Sequence, residues 1–91
     1  MSLLVRFTPP SATIEQYDQT IQRLEEGGDF PPDGLDYHVC FEVDGQVRVS
    51  EIWDSREQFD AFGERLMPVL EEAGIDPGQP EFLDIHNIIK R

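Results

Sequence analysis

The side chains able to do proton chemistry are few. In 91 residues there are two histidines, His38 and His86, and a single cysteine, Cys40. An imidazole held beside a carboxylate is fixed in one tautomer and can act as a general base near neutral pH. Glu51 is the carboxylate placed to do this for His38, as the strand register below shows. The same pairing also serves a plain structural end, a cross-strand hydrogen bond that satisfies two half-buried polar groups, and both readings stay open. Trp53, two residues beyond Glu51, either packs in the core or offers an indole face to a planar ligand. Arg6 lies in an apolar run, where a guanidinium needs a carboxylate or a solvent-filled pocket. There it can stabilise an enolate oxygen, or it merely snorkels at a strand end. Cys40 has no Cys or His at ligand or redox spacing and reads as a small buried hydrophobe. No glycine-rich phosphate loop, nucleophile elbow or metal-binding helix motif is present.

Positioning these groups falls to the stretch from Leu35 to Trp53, which reads as two strands joined by Asp44-Gly45. A two-residue type I′ turn there sets Val43 opposite Gln46. Counting outward places Cys40 opposite Val49, His38 opposite Glu51 and Asp36 opposite Trp53. One face of the hairpin then carries His38, Cys40, Val47, Val49, Glu51 and Trp53. The other carries Tyr37, Val39, Phe41, Val43 and Ile52 and is nearly all apolar.

The remaining elements follow from period and punctuation. Residues 2–8 alternate as a strand ended by Pro9-Pro10. Thr13 and Gln16 have capping-box spacing, and Ile14, Tyr17, Ile21 and Leu24 make a helical stripe that stops at Gly27-Gly28. A turn-rich connector follows, in which Phe30 covers an edge of the core. Ser55 and Gln58 open a second helix with the stripe Phe59, Phe62, Leu66, Leu70 and Ala73. Pro68 inside it predicts a kink or break, and Gly74 caps its end. Residues 81–89 alternate again and read as a last strand. The order β-α-β-β-α-β predicts one ferredoxin-like α+β domain over residues 1–91, a four-stranded antiparallel sheet in spatial order 4-1-3-2 with both helices on one face. His38 and His86 then lie on opposite edge strands roughly 14 Å apart, too far to share a metal ion, so no metal site is expected. His86 serves a separate end of the pocket, a dimer contact, or only a strand end. A sheet apolar on both faces with helices for one predicts a homodimer through the bare face.

With 19 acidic against 7 basic residues and a net charge of −12, the chain repels phosphate backbones and anionic lipid, which argues against nucleic-acid and membrane partners. A lone cysteine allows no internal disulfide. No apolar run is long enough to span a bilayer, and Leu3-Leu4-Val5 is interrupted by Arg6 and Pro9-Pro10, so a cytoplasmic protein is expected.

Several residues in order carry a family resemblance: Gly34-Leu35, Tyr37-His38-Val39, Glu51-Ile52-Trp53-Asp54-Ser55, Phe59, Phe62, Leu66, Pro68, Gly74 and His86-Asn87. Over about two thirds of its length the chain resembles the dimeric α+β barrel superfamily, in the branch of antibiotic-biosynthesis-monooxygenase-like proteins and their small bacterial relatives. The resemblance implies a ferredoxin-like protomer, a homodimer joined sheet to sheet, and a pocket between the sheet and helices of each protomer. Glu51 and Trp53 match the carboxylate-x-aromatic step of the monooxygenase relatives. Many of those carry a histidine in the second helix, which this chain lacks, and the lack speaks against a haem-degrading reading. The implied activity is cofactor-independent monooxygenation of an apolar or aromatic organic substrate. His38, oriented by Glu51, would remove an acidic proton, and Trp53, Phe62, Arg6 and His86 would contact the substrate. The rival expectation is a non-catalytic dimeric binding or interaction module.

Overall fold

The computed structural model describes residues 2–91. In β1 (Leu3–Phe7) Val5 is fully buried and Leu3 and Phe7 pack against the same core, while Leu4 and Arg6 point to the opposite face. Helix α1 (Ile14–Glu26) starts at the expected capping box: Thr13 Oγ1 accepts from the Gln16 N–H at 3.1 Å, and the Gln16 side chain accepts from the Thr13 N–H at 2.9 Å. It buries Thr20 and Leu24 and ends at Gly27.

Strands β2 (Leu35–Val43) and β3 (Gln46–Trp53) form the hairpin. Asp44 and Gly45 have φ of 52° and 79°, as a type I′ turn requires. His38 faces Glu51 and Cys40 faces Val49, in the register counted from that turn. At the open end the count fails. Leu35, not Asp36, faces Trp53, because a bulge leaves Asp36 without a partner between Leu35 and Tyr37. The extra residue reverses the alternation, so Leu35 turns to the helix side and packs on the core. Gly34, at φ 90°, accepts the Asp54 N–H at 2.8 Å and closes this end.

Helix α2 (Arg56–Ala73) is capped by Ser55, whose Oγ accepts the Gln58 N–H at 3.2 Å. The reciprocal half of the expected box is replaced by a bond from the Ser55 hydroxyl to Gln58 Oε1 at 3.0 Å. Pro68 does not break the helix. It and Glu64, whose carbonyl loses its donor, are both exposed, so water can take the missing hydrogen bond. Gly74 closes the helix in the left-handed conformation at φ 76°.

The last strand, β4 (Glu81–Asp84), is shorter than the alternation of residues 81–89 suggests. Its only neighbour, β1, begins at Leu3, and Leu3 already pairs with Asp84. Among the described residues no ladder partner is paired beyond that point. The following residues run over the bare face, where Ile88 to Arg91 line a groove with Leu4, Tyr37, Val39 and Ile52.

The sheet is antiparallel throughout in the order β2-β3-β1-β4, which is the expected 4-1-3-2, and the whole is a ferredoxin-like α+β fold. Val5, Leu24, Trp53, Phe59 and Phe62 form the core between sheet and helices. On the other face Tyr37, Val39, Phe41 and Val43 are exposed.

Candidate functional site

His38 stands on the helix-facing side of β2, and its partner Glu51 stands across from it on β3. Nδ1 of the imidazole lies 2.6 Å from Glu51 Oε2. The other carboxylate oxygen, Oε1, accepts the Trp53 Nε1–H at 3.0 Å. Two donors therefore meet the two oxygens, which accounts for a carboxylate only 4% exposed. The remaining ring nitrogen, Nε2, is 2.7 Å from the hydroxyl of Tyr17 on α1. Four side chains thus form one unbroken line, Tyr17 to His38 to Glu51 to Trp53.

Burial, ahead of the nearby Cys40, Asp18 and Glu51 charges and a hydrogen bond with Cys40, pushes the Tyr17 phenol up to about 12. The phenol therefore keeps its proton at neutral pH and, facing a neutral imidazole, donates it to Nε2. That sets the neutral ring as its Nδ1–H tautomer, with Glu51 accepting. The imidazole is held by its aromatic neighbours as well. The Tyr17 ring lies nearly parallel to it, 14° between planes and 5.9 Å between centroids, and Phe30 meets it at 84° with centroids 5.3 Å apart. Beside Tyr17, the Cys40 thiol is raised above its ordinary value, chiefly by burial and then by Asp18, with the Tyr17 hydrogen bond working against both.

A cleft of about 80 Å³ opens between sheet and helices and reaches this line of side chains. Its wall is apolar, from Phe7, Ile21, Leu24, Phe30, Phe62 and Leu66 among others. Thr20 also borders it, but its hydroxyl already donates to the Gln16 carbonyl at 2.9 Å. Tyr17, His38 and Glu51 supply the polar end. A dry cavity that takes up benzene measures on the order of 150 Å³, so an aromatic ring enters this cleft only by occupying its open mouth or by moving a wall.

The structure brings His38, Glu51 and Phe62 to the cleft and leaves three of the residues singled out by sequence outside it. Trp53 is fully buried, packed on Phe59 and Phe62 with ring centroids 5.5 and 5.8 Å away, and reaches the site only through its bond to Glu51. No indole face is open to a ligand. Arg6 is on the bare face of the sheet, where strand alternation must put it once Val5 and Phe7 face inward, and it pairs there with Glu81 at 3.1 Å. An enolate in the cleft is beyond its reach. His86 is exposed past the end of β4 and does not border the cleft. Tyr17 and Phe30 were missed as site residues. The signal for Tyr17 was a hydroxyl on the otherwise apolar stripe of α1, a stripe that must face the strand bearing His38. Phe30, read as a cover for the core's edge, covers the imidazole.

Among the described residues no cluster of three His, Cys, Asp or Glu side chains is arranged to hold a metal ion. Nor is any helix among the described residues long and apolar enough to cross a membrane.

No protein-family model and no curated protein matches the chain. Solved structures do match, at low identity and over nearly full length. A candidate antibiotic biosynthesis monooxygenase from Chloroflexus aurantiacus is 18% identical with a TM-score of 0.63, covering 98% of this chain and 96% of its own. A mutant of SnoaB, a cofactor-independent oxygenase from Streptomyces nogalater, is 12% identical with a TM-score of 0.65, covering 99% of this chain and 96% of its own. A candidate antibiotic biosynthesis monooxygenase from Deinococcus radiodurans is 15% identical with a TM-score of 0.59, covering 100% of this chain and 98% of its own. The chain has the fold of antibiotic-biosynthesis-monooxygenase-like proteins.

Proposed function

We propose that this protein is a small-molecule-binding homodimer of one ferredoxin-like domain per chain, acting as a cofactor-independent, monooxygenase-like enzyme on a compact apolar or aromatic substrate. One observation carries the reading: an imidazole bonded to a buried carboxylate closes the end of an apolar cleft. His38, oriented by Glu51, accepts an acidic C–H or O–H proton. The electron-rich anion left behind then reduces oxygen directly, so the protein need provide only a dry cavity, a base and orientation. Phe62 contacts the substrate, and Trp53 positions Glu51. The SnoaB fold, that of a cofactor-independent oxygenase, is consistent with such chemistry. The exposed apolar residues of β2 support association sheet to sheet, and the free Cys40 supports a reducing, cytoplasmic setting.

A second reading, a dimeric binding module without catalysis, is favoured by the small cleft and by both nitrogens of His38 already having protein partners. Thermal shift against a panel of small aromatic hydroxy compounds tests the choice. Ligand-induced stabilisation that disappears in His38→Ala, with sedimentation unchanged, supports the first reading. Stabilisation indifferent to His38, or none with any compound, overturns it.

A further inference from the structure

We propose that the Tyr17 hydroxyl, rather than His38, is the group that meets the ligand, and that it hands its own proton to His38 as it receives the ligand's. The proposal rests on the functional reading above and assigns the first step of that chemistry. His38 has no nitrogen left for a ligand, since Nδ1 is 2.6 Å from Glu51 and Nε2 is 2.7 Å from Tyr17. At the far end the line closes on the Trp53 Nε1–H, which donates and cannot accept. The near end is open. Tyr17 borders the cleft, and with its hydrogen directed at Nε2 its oxygen still has lone pairs to accept a bond.

The ligand end is therefore a hydroxyl, a phenol or an enol, that donates to Tyr17 Oη. In the transfer the ligand O–H breaks and a new O–H forms on Tyr17. The original Tyr17 O–H breaks, and an N–H forms at His38 Nε2. The products are the ligand oxyanion and an imidazolium facing the Glu51 carboxylate, so protons and charge balance with no other reactant. A free tyrosinate is never required. That matters because burial and the neighbouring Asp18, Cys40 and Glu51 all disfavour one. The near-parallel setting of the Tyr17 and His38 rings, 14° between planes, aims the hydroxyl and Nε2 at each other across 2.7 Å.

The probe is 4-nitrophenol, whose anion is yellow, used at a pH where the free compound is mainly neutral. Wild-type protein is expected to bind it as the anion. Tyr17→Phe, which removes one oxygen and exposes Nε2 to the cleft, is expected to lower bound anion about tenfold or more, the usual loss for a hydrogen bond to a charged group. His38→Gln is expected to bind the neutral probe only. A yellow band kept in Tyr17→Phe but lost in His38→Gln overturns the Tyr17 step and leaves His38 as the direct base. No bound anion in wild type overturns this step, and no binding of the probe in either form overturns the functional reading with it. Ring ¹⁵N spectra of wild-type protein read the same event without a variant. The bound probe is expected to convert His38 Nε2 from an acceptor to an N–H, and an unchanged Nε2 overturns the proposal.

Discussion

The two faces of the sheet reverse the usual distribution of side chains. Under the helices, Glu51 is 4% exposed among Val47, Val49 and Trp53, while on the opposite face Val39 is 53% exposed and Phe41 43%. A charge goes inside at a cost that only its donors offset, and apolar surface is left in water where residues 88–91 cross it only in part. The difference teaches that each face is shaped by what it must meet. The covered face orients proton-handling groups against an apolar cleft, and the bare face leaves apolar side chains exposed for the proposed second copy of the chain.

The largest effect that can test this contrast comes from Glu51→Leu. Two buried donors, His38 Nδ1–H and Trp53 Nε1–H, lose their acceptor, and a loss of about 2–5 kcal/mol is expected in urea unfolding, with the midpoint falling and the slope unchanged. A change below about 0.5 kcal/mol, the range of ordinary surface substitutions, would mean that water reaches the carboxylate and that the covered face is not dry.

Trp53→Phe sharpens the same point at smaller scale. It keeps an aromatic ring in the core but removes the donor to Glu51 Oε1, and about 1–3 kcal/mol is expected, read from the same denaturation curves. On the bare face Val39→Lys should change unfolding of the isolated protomer by no more than about 0.5 kcal/mol, yet halve the sedimenting mass of the proposed homodimer. An unaltered mass would remove the reason for treating the two faces differently.

The smallest effect appears at high pH. The Tyr17 phenol is raised to about 12 in the folded chain, so folding retains a proton that the unfolded chain releases near its ordinary value of about 10. The resulting stability is fully present below the unfolded value and is lost as pH rises through the folded one. The fall in stability across that window should be shallower in Tyr17→Phe, and the difference absorbance of tyrosinate between wild type and variant should emerge only near its upper end.

Much of this architecture is written locally. Asp44-Gly45 needs positive φ at both positions, and that alone sets His38 opposite Glu51. Thr13 with Gln16 and Ser55 with Gln58 mark both helix starts, and Gly74 marks an end. What local pattern could not show depends on neighbours far along the chain. Apolar alternation continues past Asp84, but a strand lasts only as long as its partner, and β1 has no residue left to pair. Pro68 reads as a breaker, but its exposure lets the helix pass. Arg6 could be given an enolate to bind only while the inward set of β1 was unknown. Tyr17 looked like one more stripe residue because periodicity records which way a side chain points and not what its hydroxyl touches.

The unpaired Asp36 works as a phase shifter. Downstream of it the hairpin is keyed to the Asp44-Gly45 turn, and upstream Leu35 runs on the opposite parity. Ironing the bulge out, so that Asp36 took the place opposite Trp53, would swing Leu35 out with Tyr37 while leaving His38 and Glu51 in step. The imidazole–carboxylate pair and the connector that carries Phe30 against it are thus tuned by separate stretches of chain, and the mouth of the cleft can be reshaped without retuning its base.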